Sequence, residues 1–215
     1  MRNRFDRQLA ELDGDLIQMG HMIERAIEMA IKALNNGDAE QAKKAIEFDD
    51  KINGWEREIE NLCFKLLLQQ QPVARDLRNI SAALKMITDM ERIGDQAADI
   101  SEVTIHLCQS DYEKNLTHIR KMAAETTYMV VHSIEAFVEK DKQKAVEVIR
   151  HDDVVDELFL EARKDVITII HNHPEDGEPA TDLLMIAKYF ERIGDHACNI
   201  AEWVIFSITG VHRGN

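Results

Sequence analysis

Glu91, Asp95, Asp99 and Glu102 follow one another at steps of four, four and three. That spacing puts four carboxylates on one face of an α-helix. Like charges one turn apart repel by roughly 0.2–0.5 kcal/mol per pair, so such a row favours a cation laid along it. Oxygen donors suit hard or borderline ions, and Fe, Mn, Zn or Mg are the candidates. Oxygens one turn apart can also bridge several ions, so a multinuclear site is compatible with the pattern.

The row occurs twice. Glu91-Arg92-Ile93-Gly94-Asp95 returns one hundred residues later as Glu191-Arg192-Ile193-Gly194-Asp195, followed by Asn199 and Glu202. Of the twelve positions 91–102, eight are identical at this offset. Self-similarity at a fixed spacing marks two copies of one structural unit. Packing alone explains repeated apolar residues; repeated acids need another explanation, and the repetition favours a bound cation over a merely solvated face. Asn199 stands where the first copy has Asp99, so the second site is expected to bind more weakly or differently. Asp49-Asp50 and Asp152-Asp153 form a further repeated pair, read equally well as N-terminal-turn charges or as extra ligands from an adjacent helix.

Other residues invite plainer readings. Gly94 and Gly194 each cost about 1 kcal/mol relative to Ala inside a helix, and close helix packing is the favoured reason for them. Arg92 and Arg192 are expected to pair with neighbouring acids. His106 and His196 have no counterpart in the other copy and read as ordinary surface histidines. The chain contains no Glu-x-x-His, the spacing of ferritin-like di-iron sites, and no P-loop, dinucleotide fingerprint, nucleophile elbow or His-Glu-x-x-His.

The elements that must position these rows are helices. The three prolines and nine glycines fall at plausible helix ends. Asn35-Asn36-Gly37-Asp38 joins a C-cap glycine to an N-cap aspartate; Pro72 suits a first helical position. Ser110-Asp111 and Lys140-Asp141 make further breaks, and His171 to Pro179 reads as a loop. Six helices follow, at roughly 4–36, 39–71, 73–109, 112–139, 142–171 and 180–209. The repeat extends along them: Ala33-Leu34 and Gly37-Asp38 meet Ala136-Phe137 and Lys140-Asp141 at an offset of 103, as Asn53 meets Asp156. The expected architecture is all-α: two homologous three-helix bundles, residues 1–109 and 110–215, related by a pseudo-twofold. Met86, Met90, Ile93, Ala97, Ile100, Thr104 and Leu107 form the packing seam of the third helix. The second copy repeats it as Ile186, Phe190, Ile193, Ala197, Ile200, Val204 and Ser207. The acids lie largely off this seam, on a surface or a groove shared with a neighbouring helix.

Composition narrows the function classes. A net charge of −14 opposes nucleic-acid binding, which needs a basic face, and favours a metal or a basic partner. Cys63, Cys108 and Cys198 are scattered, as in reduced cytosolic proteins. No signal-peptide pattern or membrane span is read in the sequence, and a cytoplasmic location is expected.

The full length resembles the PhoU family, the phosphate-transport accessory and regulatory proteins. The resemblance is carried by two homologous three-helix halves, an Asp near the start of the second helix of each, and a Glu/Asp-x-x-x-Asp motif on the third. It implies a multinuclear metal site at Glu91, Asp95, Glu191 and Asp195, continued by Asp99 and Asn199, with Asp50 and Asp153 as further ligands. It also implies negative regulation of phosphate uptake and of the phosphate-starvation response. The implied partners are the phosphate ABC transporter ATPase subunit, a sensor histidine kinase and a second copy in a homodimer; metal-dependent association with a membrane surface is compatible. No catalytic activity is expected. Two rival readings are a metal-independent helical adaptor and a metal-dependent phosphate-ester hydrolase.

Overall fold

The computed structural model describes residues 2–69, 73–109 and 116–211. Its helices are α1 (Arg2–Asn36), α2 (Ala39–Gln69), α3 (Ala74–Leu107), α4 (Thr117–Glu139), α5 (Lys142–Asn172) and α6 (Gly177–Thr209), with a single 3₁₀ turn, Pro174–Asp176, before α6. No strand occurs among the described residues. The expected breaks at Pro72 and Ser110-Asp111 lie outside them.

The first two helices of each half join in the same way. At the end of α1, Gly37 (φ 61°) takes the left-handed conformation, and Asp38 N–H reaches back to the Ala33 carbonyl at 3.0 Å. Lys140 (φ 56°) does the same after α4, with Asp141 N–H on the Ala136 carbonyl at 2.9 Å. Both are Schellman-type stops that satisfy the last carbonyls of a helix. Asp38 and Asp141 then cap the next helix: Asp38 Oδ1 accepts from Glu40 N and Gln41 N, and Asp141 Oδ1 from Gln143 N and Lys144 N. The α5–α6 connection is shorter than the sequence suggests. α6 begins at Gly177 and takes Pro179 into its first turn, where proline removes only an N–H that has no intrahelical partner.

α1, α2 and α3 pack against one another, as do α4, α5 and α6; α3 meets α6 and α1 meets α4 across the middle. One apolar core runs through both halves. All fourteen seam residues of α3 and α6 are buried. The polar seam members return their hydroxyls to their own helix, Thr104 to the Ile100 carbonyl at 2.7 Å and Ser207 to that of Val204 at 2.7 Å, so neither seam hydroxyl is left unpaired. Burial of a large side chain such as Phe190, 0% exposed, stabilises the fold by about 1.5–3 kcal/mol. With α3 and α6 held centrally, their non-seam faces border α2 and α5.

Candidate metal centre

Turning each residue by 100° places Glu91, Asp95, position 98 and Glu102 within about 60° of one another, while Asp99 stands off to one side. This ridge runs beside α2. A Cβ at Gly94 would lie 2.9 Å from Asp49 Oδ1 and 3.0 Å from Ile52 Cδ1. Gly94 therefore lets α2 approach closely enough to bring the Asp49 carboxylate onto the α3 backbone. The second half repeats the arrangement, with Asp152 Oδ1 3.2 Å from the Cβ position of Gly194. The glycines do serve close packing, and what they pack is an aspartate.

Ile46, Glu47, Asp49 and Asp50 of α2, Arg92, Asp95, Gln96, Asp99 and Glu102 of α3, and Arg192 of α6 border an open groove of about 550 Å³. Asp49 Oδ2 accepts from Asn53 Nδ2 at 2.8 Å. Its Oδ1, together with Asn53 Oδ1 and Gln96 Oε1, is buried without a donor. Three buried acceptors lacking hydrogen-bond donors, beside a ridge of carboxylates, are what a cation with oxygen ligands would satisfy. The donor set fits the expected metal.

The electrostatics agree. Burial first, then repulsion from Asp95, holds the Asp49 and Glu91 carboxyls above their usual range. Asp99 is raised by burial and by Glu102. In the second half, burial and the nearby Asp156 and Asp195 push Asp152 up to about 6, and burial with Glu191 raises Asp195. Cations nearby are few. Arg92 Nη1 donates to Asp95 Oδ2 at 2.9 Å and its Nε lies 3.5 Å from Glu91 Oε2, while Lys188 pairs with Glu191. Arg192 reaches across from the second half to border the first groove.

The residues expected as ligands separate into groups. Asp50, Asp95 and Asp99 line the first groove, and Glu91 adjoins it through Asp95 and Asp49. In the second half Glu191 and Asp195 lie near Asp152 and Asp156. Asp50 and Asp153 are exposed, and the α2 and α5 carboxylates turned inward are Asp49 and Asp152. Asn199 points to the other half: Asp89 Oδ1 accepts from Asn199 Nδ2 at 3.0 Å and from His196 Nδ1 at 2.9 Å. His196 is thus an inter-helix contact and not a free surface histidine; His106 is exposed in the last turn of α3. Among the described residues, only His173, Glu175 and Asp176 bring three histidine, cysteine or carboxylate ligand atoms within 4.8 Å of one another. The ridge acids stand further apart, as like charges do.

Sequence reasoning passed over Glu56, which adjoins Glu91 and Asp95, as well as Asp89 and Cys198. Asp49 itself was legible: Phe48, Ile52 and Ile59 are core residues, and Asp49 lies about 80° from their common direction, against about 180° for Asp50.

The model of the PhoU domain matches residues 16–104 and 119–204, once in each half. The chain belongs to the PhoU family. It is 37% identical to a phosphate-specific transport system accessory protein PhoU homolog of Clostridium acetobutylicum, over 97% of this chain and 96% of that one. A relative of the same description from Pseudomonas aeruginosa is 32% identical over 96% of this chain and 86% of its own length. The crystal structure of PhoU from Pseudomonas aeruginosa superposes with a TM-score of 0.91 at 32% identity, covering 96% of this chain and all (100%) of that one. The phosphate transport system regulatory protein PhoU from Streptococcus pneumoniae also reaches 0.91, at 26% identity, over 98% of this chain and 100% of that chain. A part in regulating phosphate transport follows for this PhoU-family chain. Among the described residues, no helix is long and apolar enough to cross a membrane.

Proposed function

We propose that this protein is a metal-loaded, non-catalytic negative regulator of phosphate uptake and of the phosphate-starvation response. The observation that carries the metal reading is the set of unpartnered buried oxygens of Asp49, Asn53 and Gln96 beside the Glu91–Asp95 ridge. Glu91 and Asp95 with Asp49, and Glu191 and Asp195 with Asp152, would hold the ions. When bound, cations supply positive charge that neutralises the ridges and lets an acidic surface meet an acidic or anionic one. The residues themselves do the positioning: the glycines seat the aspartates, and Arg92 orients Asp95. The partners proposed are the ATPase subunit of the phosphate ABC transporter and a sensor histidine kinase, reached from the cytoplasm by a homodimer; metal-dependent membrane association belongs to the same reading.

A hydrolase finds less support. That rival needs a cation-activated water with a general base beside it, and His196, the histidine within the repeated motifs, is held by Asp89 instead.

The test is elemental analysis of protein purified without chelator or affinity tag, beside the variant Glu91→Ala, Asp95→Ala, Glu191→Ala, Asp195→Ala. Metal is expected in the native protein and lost from the folded variant. A native protein that is metal-free and cannot be loaded with Mn, Fe, Zn or Mg would hand the ridges to the adaptor reading. In that case salt alone, and not chelators, should abolish partner binding.

A further inference from the structure

Large apolar side chains stand exposed at one end of the molecule. Phe64 and Leu68 lie one turn apart near the end of α2, and Val73 and Leu77 one turn apart where α3 begins. α6 finishes beside them: a Cβ at Gly210 would lie 3.5 Å from Arg78 Cδ, and Val211 beyond it is exposed. The charge here is opposite to that of the chain. Arg7, Lys65, Arg75 and Arg78 outnumber Asp6 and Asp76 at this end, on a protein of net charge −14. Among the described residues no carboxylate forms an ion pair with Lys65, Arg75 or Arg78, and Arg78 Nε is buried without an acceptor.

The duplication supplies an internal comparison. At the offset of one hundred that relates α3 to α6, Arg75 becomes Glu175 and Arg78 becomes Glu178. The matching end of the second half still exposes Ile167 and Ile170. Apolar exposure is thus common to both ends, while positive charge belongs to one. Packing does not require the two arginines, because glutamates stand at the equivalent sites.

We propose that this end docks on an anionic lipid bilayer. Lys65, Arg75 and Arg78 meet the headgroup phosphates, and Phe64, Leu68 and Leu77 enter the acyl boundary. Clustered cations beside exposed Phe and Leu suit a membrane surface. Lipid is fluid and needs no concave shape to receive Leu68, which is 85% exposed. A second copy offering its own Glu175 and Glu178 end would make a heterologous contact that propagates into a filament without closing. Glu91 lies about 20 Å along α3 from Leu77, so docking here uses no ridge acid and requires no bound ion. The proposal is independent of the cation reading, and chelator separates it from the metal-dependent membrane association included there.

Full-length protein in excess chelator is co-sedimented with vesicles of phosphatidylcholine, alone or mixed with phosphatidylglycerol. The wild type should bind the mixed vesicles, leave them as salt is raised, and not bind the neutral ones. Each basic residue near such a surface contributes about fivefold to binding. Arg75→Glu with Arg78→Glu, which copies the second half, should therefore bind at least about twentyfold more weakly. Lys121→Glu with Lys164→Glu changes the net charge equally at the opposite end and should bind as the wild type does. Phe64→Ser with Leu68→Ser should weaken binding about tenfold, and unchanged affinity there overturns the insertion. Circular dichroism confirms that each variant folds. Equal loss in both charge-reversed variants, or none in Arg75→Glu with Arg78→Glu, overturns the proposed surface. So does a wild type that binds only after Mn²⁺ is added, or that associates with itself and not with vesicles.

Discussion

Gly94 lacks the Cβ that would press on Asp49 Oδ1 at 2.9 Å and on Ile52 Cδ1 at 3.0 Å. At Gly194 the same contacts are looser, 3.2 Å to Asp152 Oδ1 and 3.5 Å to Val155 Cγ1. Alanine gains about 1 kcal/mol in helix propensity at either site, but overpacking costs about 1–3 kcal/mol where the neighbours cannot yield. Gly94→Ala should therefore destabilise the protein by about 1 kcal/mol, and Gly194→Ala should be close to neutral. Urea midpoints of the two metal-free variants decide it; equal midpoints would mean that Asp49 and Ile52 give way freely. The pattern of acids was visible in the sequence because four-and-three spacing defines a helical face. The direction of Asn199 was not. Its amide turns to Asp89, and which neighbour a ridge-edge residue meets depends on how α3 and α6 are packed, which periodicity within one helix does not contain.

Lys140 occupies the left-handed position that Gly37 fills in the first half. A side chain in that conformation costs roughly 1–2 kcal/mol, partly offset by the freedom glycine has in the unfolded chain. Lys140→Gly should stabilise the protein by about 0.5–1 kcal/mol, seen as a Tm rise of about 2 °C for a chain of this size. A fall in Tm would show that Lys140 contributes contacts outweighing its backbone strain. The α1–α2 and α4–α5 joins were legible because Gly37-Asp38 and Asp141 carry their own capping chemistry. The start of α6 was misjudged by three residues, 180 against Gly177. Pro179 looks like a terminator, yet it is as acceptable inside a first turn as beyond a last one, and only the backbone before it distinguishes the two.

Carboxylates crowded along both ridges, on a chain of net charge −14, make the metal-free protein sensitive to pH. Asp152 is raised from 3.8 to about 6 in the folded state. Between those values the folded protein keeps a proton that the unfolded chain has released, so stability is fully present below about pH 4 and is lost as pH rises through about 6. Asp49, Glu91, Asp99 and Asp195 are shifted in the same direction. Metal-free protein should consequently be more stable near pH 5 than at pH 7, with about 1 kcal/mol assigned to Asp152 after allowance for solvent screening. Thermal melts across this window test it, and Asp152→Asn should flatten part of the slope. Saturating cation should reverse the trend, because protonation then competes with the ion. Stability that rises from pH 5 to 7 without metal would contradict the repulsion ascribed to the ridges. A duplicated molecule with identical halves would look the same to a partner approaching from either end. Here Ala98 corresponds to Cys198 across the duplication, Asp99 to Asn199, and Asn53 to Asp156. The protein therefore has a head and a tail, and a partner that touches both ridges can seat in only one orientation.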